Sequence, residues 1–298
     1  MKTVLVTGAT SFVGLELTDR LMSDGMDVHA IVRPTSDISL FDQLPSPPNC
    51  HVHDASGGNL EEIMAEVAPD TVFHLAGHYI KEHTADDVAD IVRDNIEFGA
   101  QILDAMSRTE GRRLVSTGSY FQFSGTDGAQ PYNLYAAAKS AFQGIVDFYR
   151  RGFGLQATTL ILFDAYGPRD WRPKLMSAIL DALENETVLP VPEDDPAMDL
   201  VFGPDAADAF VTAGRLLEES YDTVDGATFA VTSGQVKRIS EIIAMFETAA
   251  GKAIQTQAGG WPAPKNPLPD LWNGPPVPGW KAATPLEEGI RRLMRGRS

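Results

Sequence analysis

The stretch TGATSFVG, residues 7–14, follows directly on the apolar run Val4-Leu5-Val6. A short apolar run, a glycine turn and then apolar residues at 13, 17 and 21 read as strand, turn and helix. That is the setting of a dinucleotide-binding turn. In such a turn the first glycine makes the bend, a middle residue lets the backbone approach a pyrophosphate, and the last lets helix pack on strand. Here Gly8 and Gly14 hold the outer positions and Ser11 the middle one. A serine brings a Cβ into the crowded position, at a cost of about 1 kcal/mol where the backbone is strained. Its hydroxyl in return donates to a phosphate or caps the helix. The bland alternative is a tight turn that binds nothing.

Outward from this stretch, strand patterns at 3–6, 28–32, 51–53, 71–75, 114–116 and 158–162 alternate with helical patterns at 13–23, 89–106 and 134–149. Strand and helix in alternation predict an α/β fold, a Rossmann-type doubly wound parallel sheet. After Gly167 the chain becomes proline-rich (GPRDWRP, LPVPEDDP, WPAPKNPLP, NGPPVPGW), with shorter helices at 174–184, 204–217 and 239–250. The expected organisation is a dinucleotide-binding domain over 1–167, its sheet completed by part of the later chain. Residues 168–298 are then mainly a smaller C-terminal substrate-binding lobe.

A chain of 298 residues, 43% hydrophobic and 22% charged, affords a sizeable core. A net charge of −17 argues against nucleic-acid binding, which draws on clustered Lys and Arg. The single cysteine, Cys50, excludes an internal disulfide and argues against a thiolate zinc site. No apolar run approaches the ~20 residues that span a bilayer, and the first residues do not resemble a secretory signal. A cytoplasmic protein without a membrane partner is expected. Among the six histidines, His51 and His53 alternate on a strand and His74 and His78 flank another's end, but no carboxylate cluster frames them, so no metal is expected.

The second strand runs into Arg33-Pro34-Thr35-Ser36. An NAD site usually carries Asp or Glu there for the adenosine ribose, whereas a cation with hydroxyls suits a 2′-phosphate. A dinucleotide site here would therefore favour NADP(H) over NAD(H). Further on, Thr117 ends a strand, and Tyr135 and Lys139 stand four apart on one helical face. An ammonium beside a phenol lowers its pKa and makes it a usable proton donor. The Thr117 hydroxyl could then hold a carbonyl in line.

With these residues in order, the chain resembles the extended short-chain dehydrogenase/reductases, the nucleotide-sugar epimerase, dehydratase and reductase group. VLVTGATSFVG matches the cofactor turn, Asp54 the adenine-contacting acid, and TVFHLAG the fourth-strand motif. Asn95 in DNIEFGAQIL, LVSTGS, LYAAAK, LFDAYGPRD and PGWKAATPLEEGIRRL match later segments. The resemblance implies that Tyr135 exchanges a proton, Lys139 tunes it and holds the nicotinamide ribose, and Thr117 binds the reacting oxygen. Asn95 supports the helix or a proton-relay water. It implies cofactor contacts at Gly8, Thr10, Ser11, Phe12, Val13, Gly14, Arg33, Ser36, Asp54, Ala55, Leu75, Ala76, Gly77 and Phe163. Substrate contacts are implied at His78, Ser119, Tyr120, Asp164, Arg169, Arg172 and Lys174, with Tyr79, His83 and Trp171 as further candidates. Hydride would pass between nicotinamide and a sugar carbon, most often C4.

Departures from the pattern narrow the choice. Gly118-Ser119 stand where 4,6-dehydratases carry Asp-Glu, and Arg33 stands where epimerases carry an acid. The expectation is an NADPH-dependent 4-ketoreductase of a nucleotide-activated deoxysugar. The alternatives are an NAD-dependent 4-epimerase, a reductase of a non-sugar carbonyl and, least favoured, a non-catalytic NADP(H) sensor. Met198 replaces an arginine that often binds the substrate diphosphate, and the PEDDP stretch reads as a solvated turn. Val92, Ile96, Ile102, Phe142, Ile145 and Phe148 give two amphipathic helices that resemble the family's homodimer interface.

Overall fold

Val4, Leu5 and Val6 are fully buried in strand β1 (Thr3–Thr7), because layers of helix cover both faces of the sheet it centres. The computed structural model describes residues 1–53, 57–124, 130–260 and 271–296. The further strands are β2 (Asp27–Val32), β3 (Asn49–Val52), β4 (Thr71–His74), β5 (Arg113–Ser119), β6 (Gln156–Leu162) and β7 (Asp164–Tyr166). β8 (Leu189–Val191), β9 (Ala197–Phe202), β10 (Thr228–Val231), β11 (Val236–Arg238) and β12 (Thr256–Ala258) follow. The helices are α1 (Phe12–Ser23), α2 (Gly57–Val67), α3 (Asp87–Val92), α4 (Phe98–Arg108) and α5 (Leu134–Phe153). Later come α6 (Leu175–Asn185), α7 (Gly203–Glu219), α8 (Ile239–Ala250) and α9 (Leu286–Arg295).

Seven strands form one parallel sheet in the order β10-β6-β5-β4-β1-β2-β3. The strand order reverses about β1, which pairs with β2 on one side and β4 on the other, and ligands of such sheets bind outside that reversal. Val4, Val6 and Phe73 pack against α1 and α7, while Leu5 and Val72 face α2, α4 and α5. The doubly wound sheet agrees with the alternation read from the sequence. β10 joins the edge at β6, and Asp225 pins that junction by accepting from Arg150 Nε (2.9 Å), Arg150 Nη2 (2.7 Å) and Ala157 N (2.9 Å). A smaller sheet, β11-β9-β7, and the β12-β8 pair belong to the later chain, whose core gathers Tyr166, Ile179, Phe202, Ile242, Phe246 and Ile290.

Two helical expectations change in detail. The pattern at 89–106 is one continuous helix interrupted by a π turn at Arg93–Glu97, which rotates Asn95 into the interior. Of the residues assigned to an outward dimer face, Ile102 and Phe142 are buried in the core against the sheet. Only Val92 and Phe148 are well exposed, at 42% and 59%. An apolar stripe looks the same whether its partner is a sheet or a second subunit, so periodicity alone merged the two faces.

Phe12, the first residue of α1, is the bearing between the two parts of the chain. A Cβ at Gly203 would come within 2.5 Å of its ring and one at Gly167 within 3.0 Å, while the Arg172 guanidinium lies 4.9 Å from the ring centre on another side. Phe12→Ala should therefore lower the unfolding free energy by about 3–5 kcal/mol, read from urea denaturation.

Candidate active site

The turn after β1 is built for close approach. Gly8 has φ +71°, and a Cβ on it would lie 2.6 Å from Ala76 N; a Cβ on Gly14 would overlap the Gly8 carbonyl. Ser11 sits in extended backbone (φ −80°, ψ 162°) and is unstrained. Its Oγ accepts from Gly14 N at 3.1 Å, so the hydroxyl caps α1. Phe12 and Val13 bury their side chains, which leaves backbone as what a ligand would meet there. Glycines that exclude any Cβ and the free N–H groups of a twelve-residue helix fit the pyrophosphate of a dinucleotide.

At the end of β2, Arg33 is exposed and its N–H donates to Ser36 Oγ at 3.0 Å, which closes a short turn. The Arg33 guanidinium makes one long contact, 3.4 Å, to Asp94 of the π turn. Arg33 and Ser36 thus present a cation and a hydroxyl on one loop. Asp54 and Ala55 lie outside the described residues.

The exit of β4 is held from two sides. Thr7 Oγ1 lies 2.8 Å from His74 Nδ1 and accepts from Ala76 N at 3.3 Å. Asn95, fully buried, accepts from His78 N (3.2 Å) and donates to His78 O (3.0 Å) and Ile91 O (2.9 Å). Its amide is therefore committed to backbone. A Cβ on Gly77 would crowd Asn95 Oδ1 (2.7 Å) and Lys139 Nζ (3.0 Å), so this segment also excludes side chains. Leu75 is buried and Gly77 exposed, the latter opening onto the crevice.

Thr117, at the end of β5, is buried and its Oγ1 has no partner. A buried hydroxyl without a partner costs free energy unless a ligand completes it. Asn133 caps α5 by accepting from Ala136 N at 2.9 Å, which starts the helix one turn before Lys139 and places Tyr135 in its first turn. Lys139 donates to Ala76 O at 3.4 Å and lies 5.9 Å from the Tyr135 ring centre. Burial pushes the Tyr135 phenol up to about 12 and the Lys139 ammonium down to about 8. The lowering of the tyrosine expected from the lysine is thus outweighed by desolvation at this separation.

Beyond Tyr135 opens a cavity of about 980 Å³. Tyr79, Tyr120 and Phe121 form an aromatic wall, with Tyr79 edge-on to Tyr135 at 5.1 Å and Tyr120 stacked on Phe163 at 5.1 Å. Asp164 accepts from Tyr120 OH (3.2 Å) and from Lys174 Nζ (2.9 Å). Ser119 accepts from Phe121 N at 3.3 Å and shapes the turn that carries the wall. Met198 lines the far side, and so do Glu193 and Asp194, which the sequence read as a solvated turn. The chain doubles back after β8 to form the cavity rim, and Asp195 alone turns away to Ser240.

Two expected substrate residues point elsewhere. Arg169 Nη1 is bound to Asp19 (2.6 Å) and Glu16 (3.3 Å) of α1. Arg172 is bound to Asp170 by Nε (2.6 Å) and Nη2 (2.8 Å), and to Ala165 O (3.0 Å). Arg169 thus ties the lobe to α1 by a pairing that no local pattern announces, while Arg172 is held by its near neighbour Asp170 and meets α1 only over the Phe12 ring. Trp171 is half exposed, and both it and His78, which stands beside Asp94, are outside the cavity lining. Sequence reading missed the role of Thr7 and His74, which meet only because β1 and β4 pair in register. Among the described residues no group of three His, Cys, Asp or Glu could hold a metal, and no helix is long and apolar enough to cross a membrane.

Comparison with known proteins agrees with the fold. The model of the "NAD dependent epimerase/dehydratase family" matches residues 4–224. CDP-abequose synthase of Yersinia pseudotuberculosis is 27% identical over 241 residues, 79% of this chain and 81% of that protein. UDP-glucose 4-epimerase of Mycolicibacterium smegmatis is 26% identical over 329 residues, 97% of this chain and 96% of that protein. Among solved structures, a UDP-glucose-4-epimerase from Stenotrophomonas maltophila with bound NAD and formylated UDP-arabinopyranose superposes with a TM-score of 0.85. It is 20% identical and covers 100% of this chain and 98% of that one.

Burial of Lys139 has a measurable consequence. Its ammonium falls from 10.5 to about 8 in the folded chain, so between those values the unfolded chain holds more protons and stability rises with pH. Below pH 8 both states are protonated and the folded state carries the full penalty. Lys139→Met should stabilise the chain at pH 7 by on the order of 3 kcal/mol, with the advantage shrinking toward pH 10.5. Urea denaturation of both proteins from pH 7 to 10 checks the sign and the window.

Proposed function

The chain belongs to the NAD dependent epimerase/dehydratase family, and we propose that it is an NADPH-dependent reductase of a 4-keto group on a nucleotide-activated deoxysugar. The observation that carries this reading is the end of β2, where exposed Arg33 and Ser36 stand in place of an acidic residue. A guanidinium with a hydroxyl suits a 2′-phosphate, and a cofactor of that kind arrives reduced. Relatives named for CDP-abequose synthesis support the deoxysugar assignment.

The residues fit the cofactor: the Gly8–Gly14 turn for the pyrophosphate, Arg33 and Ser36 for the 2′-phosphate, and Lys139 for the nicotinamide ribose. NADP(H), when bound, supplies the hydride and, once oxidised, a positive ring charge. Thr117 donates its unpartnered hydroxyl to the substrate carbonyl and fixes it beside Tyr135. Tyr135, which burial keeps protonated, gives its phenolic proton to that oxygen as the carbon accepts hydride. Lys139, charged below about pH 8, stabilises the phenolate left behind. Asn95 holds the His78 peptide rather than a proton path. The cavity takes the sugar and nucleotide, with Lys81 on its lining where Met198 brings no charge, and Lys174 balanced by Asp164.

A 4-epimerase with retained NAD is the second reading, favoured by the mycobacterial relative's nearly full-length match. Met198 favours a non-sugar carbonyl, while an intact Tyr135–Lys139 pair speaks against a non-catalytic sensor. In the proposed enzyme residues 1–167 with β10 bind the cofactor and 168–298 mainly the substrate. The exposed Val88, Val92 and Phe148 favour self-association through the α3–α4 and α5 faces. Dependence on NADPH favours a cytoplasmic location.

Purified protein titrated with NADPH and NADH, followed by Trp fluorescence, tests the assignment. NADPH should bind at least ~10-fold more tightly than NADH, and Arg33→Ala should remove that preference by weakening NADPH alone. Retained NAD, or an NADH preference, hands the lead to the epimerase. Tyr135→Phe should keep NADPH affinity and lose roughly 10²–10⁴-fold in turnover of a 4-keto-6-deoxy nucleotide sugar.

A further inference from the structure

His74 is 1% exposed at the end of β4, outside the reactive trio, with its ring between Phe142 (5.3 Å) and Phe98 (5.8 Å). Its Nδ1 lies 2.8 Å from Thr7 Oγ1, and that oxygen accepts the Ala76 N–H. A threonine hydroxyl has one proton and two lone pairs. With a lone pair taken by Ala76 N–H, the arrangement that uses the Thr7 proton donates it to His74 Nδ1. The histidine proton then sits on Nε2, which has no hydrogen-bond partner.

The carbonyl of the same residue accepts from Lys139 Nζ at 3.4 Å. Ala76 is therefore held at its N–H, in the peptide shared with Leu75, by Thr7, and at its carbonyl, in the next peptide, shared with Gly77, by the lysine. The orientation of Thr7 is in turn set by an imidazole that must stay neutral. It does stay neutral, since burial first and the Lys139 charge second hold its pKa down to about 3. A protonated Nδ1 would take the second lone pair of the Thr7 oxygen, reverse this bond and turn the Thr7 proton away from His74. A leucine or phenylalanine would fill the same apolar slot at lower desolvation cost, so the buried imidazole with an unpartnered nitrogen calls for a reason beyond packing.

We propose that His74 is a positioning residue that, through Thr7 and the Ala76 peptide, fixes the ammonium of Lys139 at the reactive centre. It touches neither substrate nor cofactor in this scheme. The chain of contacts also ties the lysine to the turn after β1, because Gly8 follows Thr7 and a Cβ on it would lie 2.6 Å from the same Ala76 nitrogen. The inference rests on Lys139 being part of the reactive centre, but its physical content is the lysine's surroundings. Those are Tyr135 on the same helix, His74 and Ala76 O at β4, and Asn95 Oδ1 across Gly77 from the π turn.

The test follows Lys139 itself, by ¹⁵Nζ-lysine NMR between pH 6 and 11, with Lys139→Met to assign the signal. Wild type should titrate near 8. His74→Phe keeps the ring and removes the acceptor, so Ala76 O is no longer held under the ammonium. The charged form loses its hydrogen bond, and its acid dissociation constant should rise about tenfold. Thr7→Val, isosteric and without a hydroxyl, should reproduce that shift. His74→Asn carries an acceptor near the Nδ1 position and should restore the wild-type midpoint whatever its melting temperature.

An unmoved Lys139 midpoint in both His74→Phe and Thr7→Val would sink the proposal and leave His74 a packing residue, as would His74→Asn behaving like His74→Phe. So would a wild-type lysine titrating near its ordinary value, because nothing would then be held at the centre. Should His74→Phe fail to fold, Thr7→Val and His74→Asn carry the comparison alone. NADPH titration of the same proteins separates the two claims. Wild type that binds no nicotinamide cofactor, yet shows the midpoint shift, overturns the functional assignment and leaves the relay standing.

Discussion

The approach of Gly8 to the Ala76 peptide is the contact from which the site is hung. β1 and β4 pair directly, Thr7 opposite His74, so the turn leaving one strand and the segment leaving the other are forced into the same few ångströms. No side chain fits at Gly8, Gly14 or Gly77. Where backbone is left bare on both sides of a sheet reversal, a crevice remains that is lined by peptide groups and a helix N-terminus. Thr7, Asn95 and Lys139 all grip the segment that crosses it. Asn95 and Lys139 thereby share one reference frame with the turn after β1.

Burial at this centre has opposite effects on two neighbours, and both would favour the reduction proposed above. The Tyr135 phenol is raised, so the proton it would donate in that reaction stays on until charge develops beside it. The Lys139 ammonium is lowered only to about 8, so at neutral pH it remains charged in a place that disfavours charge. Water would relieve that penalty and also screen the lysine from the phenolate. The dry site keeps the electrostatic leverage at the expense of folded-state stability, a common balance at reactive centres.

What could be read beforehand was local. The strand–turn–helix at residues 3–23, the four-residue spacing of Tyr135 and Lys139, and the alternation that fixes a parallel sheet all lie within a turn or two of chain. Ser11 illustrates the limit: its residue type restricted it to phosphate or cap, and only the φ of −80° and the bond from Gly14 N chose the cap. Contacts between distant segments were invisible. Arg169 reaches Asp19 and Glu16 across about 150 positions, and Ile102 and Phe142 find the sheet rather than a partner. The π turn that aims Asn95 inward has no compositional mark at all.

The fate of the two arginines bears on how the lobe and the cofactor turn act together. Arg169 lies against Glu16, whose carboxyl burial pushes up to about 7, and the neighbouring Asp19 carries the firmer contact. Arg172 holds Asp170, a wall of the cavity, while its guanidinium covers the ring of Phe12 one residue beyond Ser11. A cation free to bind a diphosphate would have to leave these partners and expose buried acids. The lobe therefore uses its arginines as a joint and leaves the cavity to lysines, of which Lys174 is already balanced by Asp164. A joint of this kind transmits position rather than charge. Asp170 on the cavity wall contacts Arg172, Arg172 contacts Phe12, and Phe12 begins the helix whose N-terminus faces the crevice.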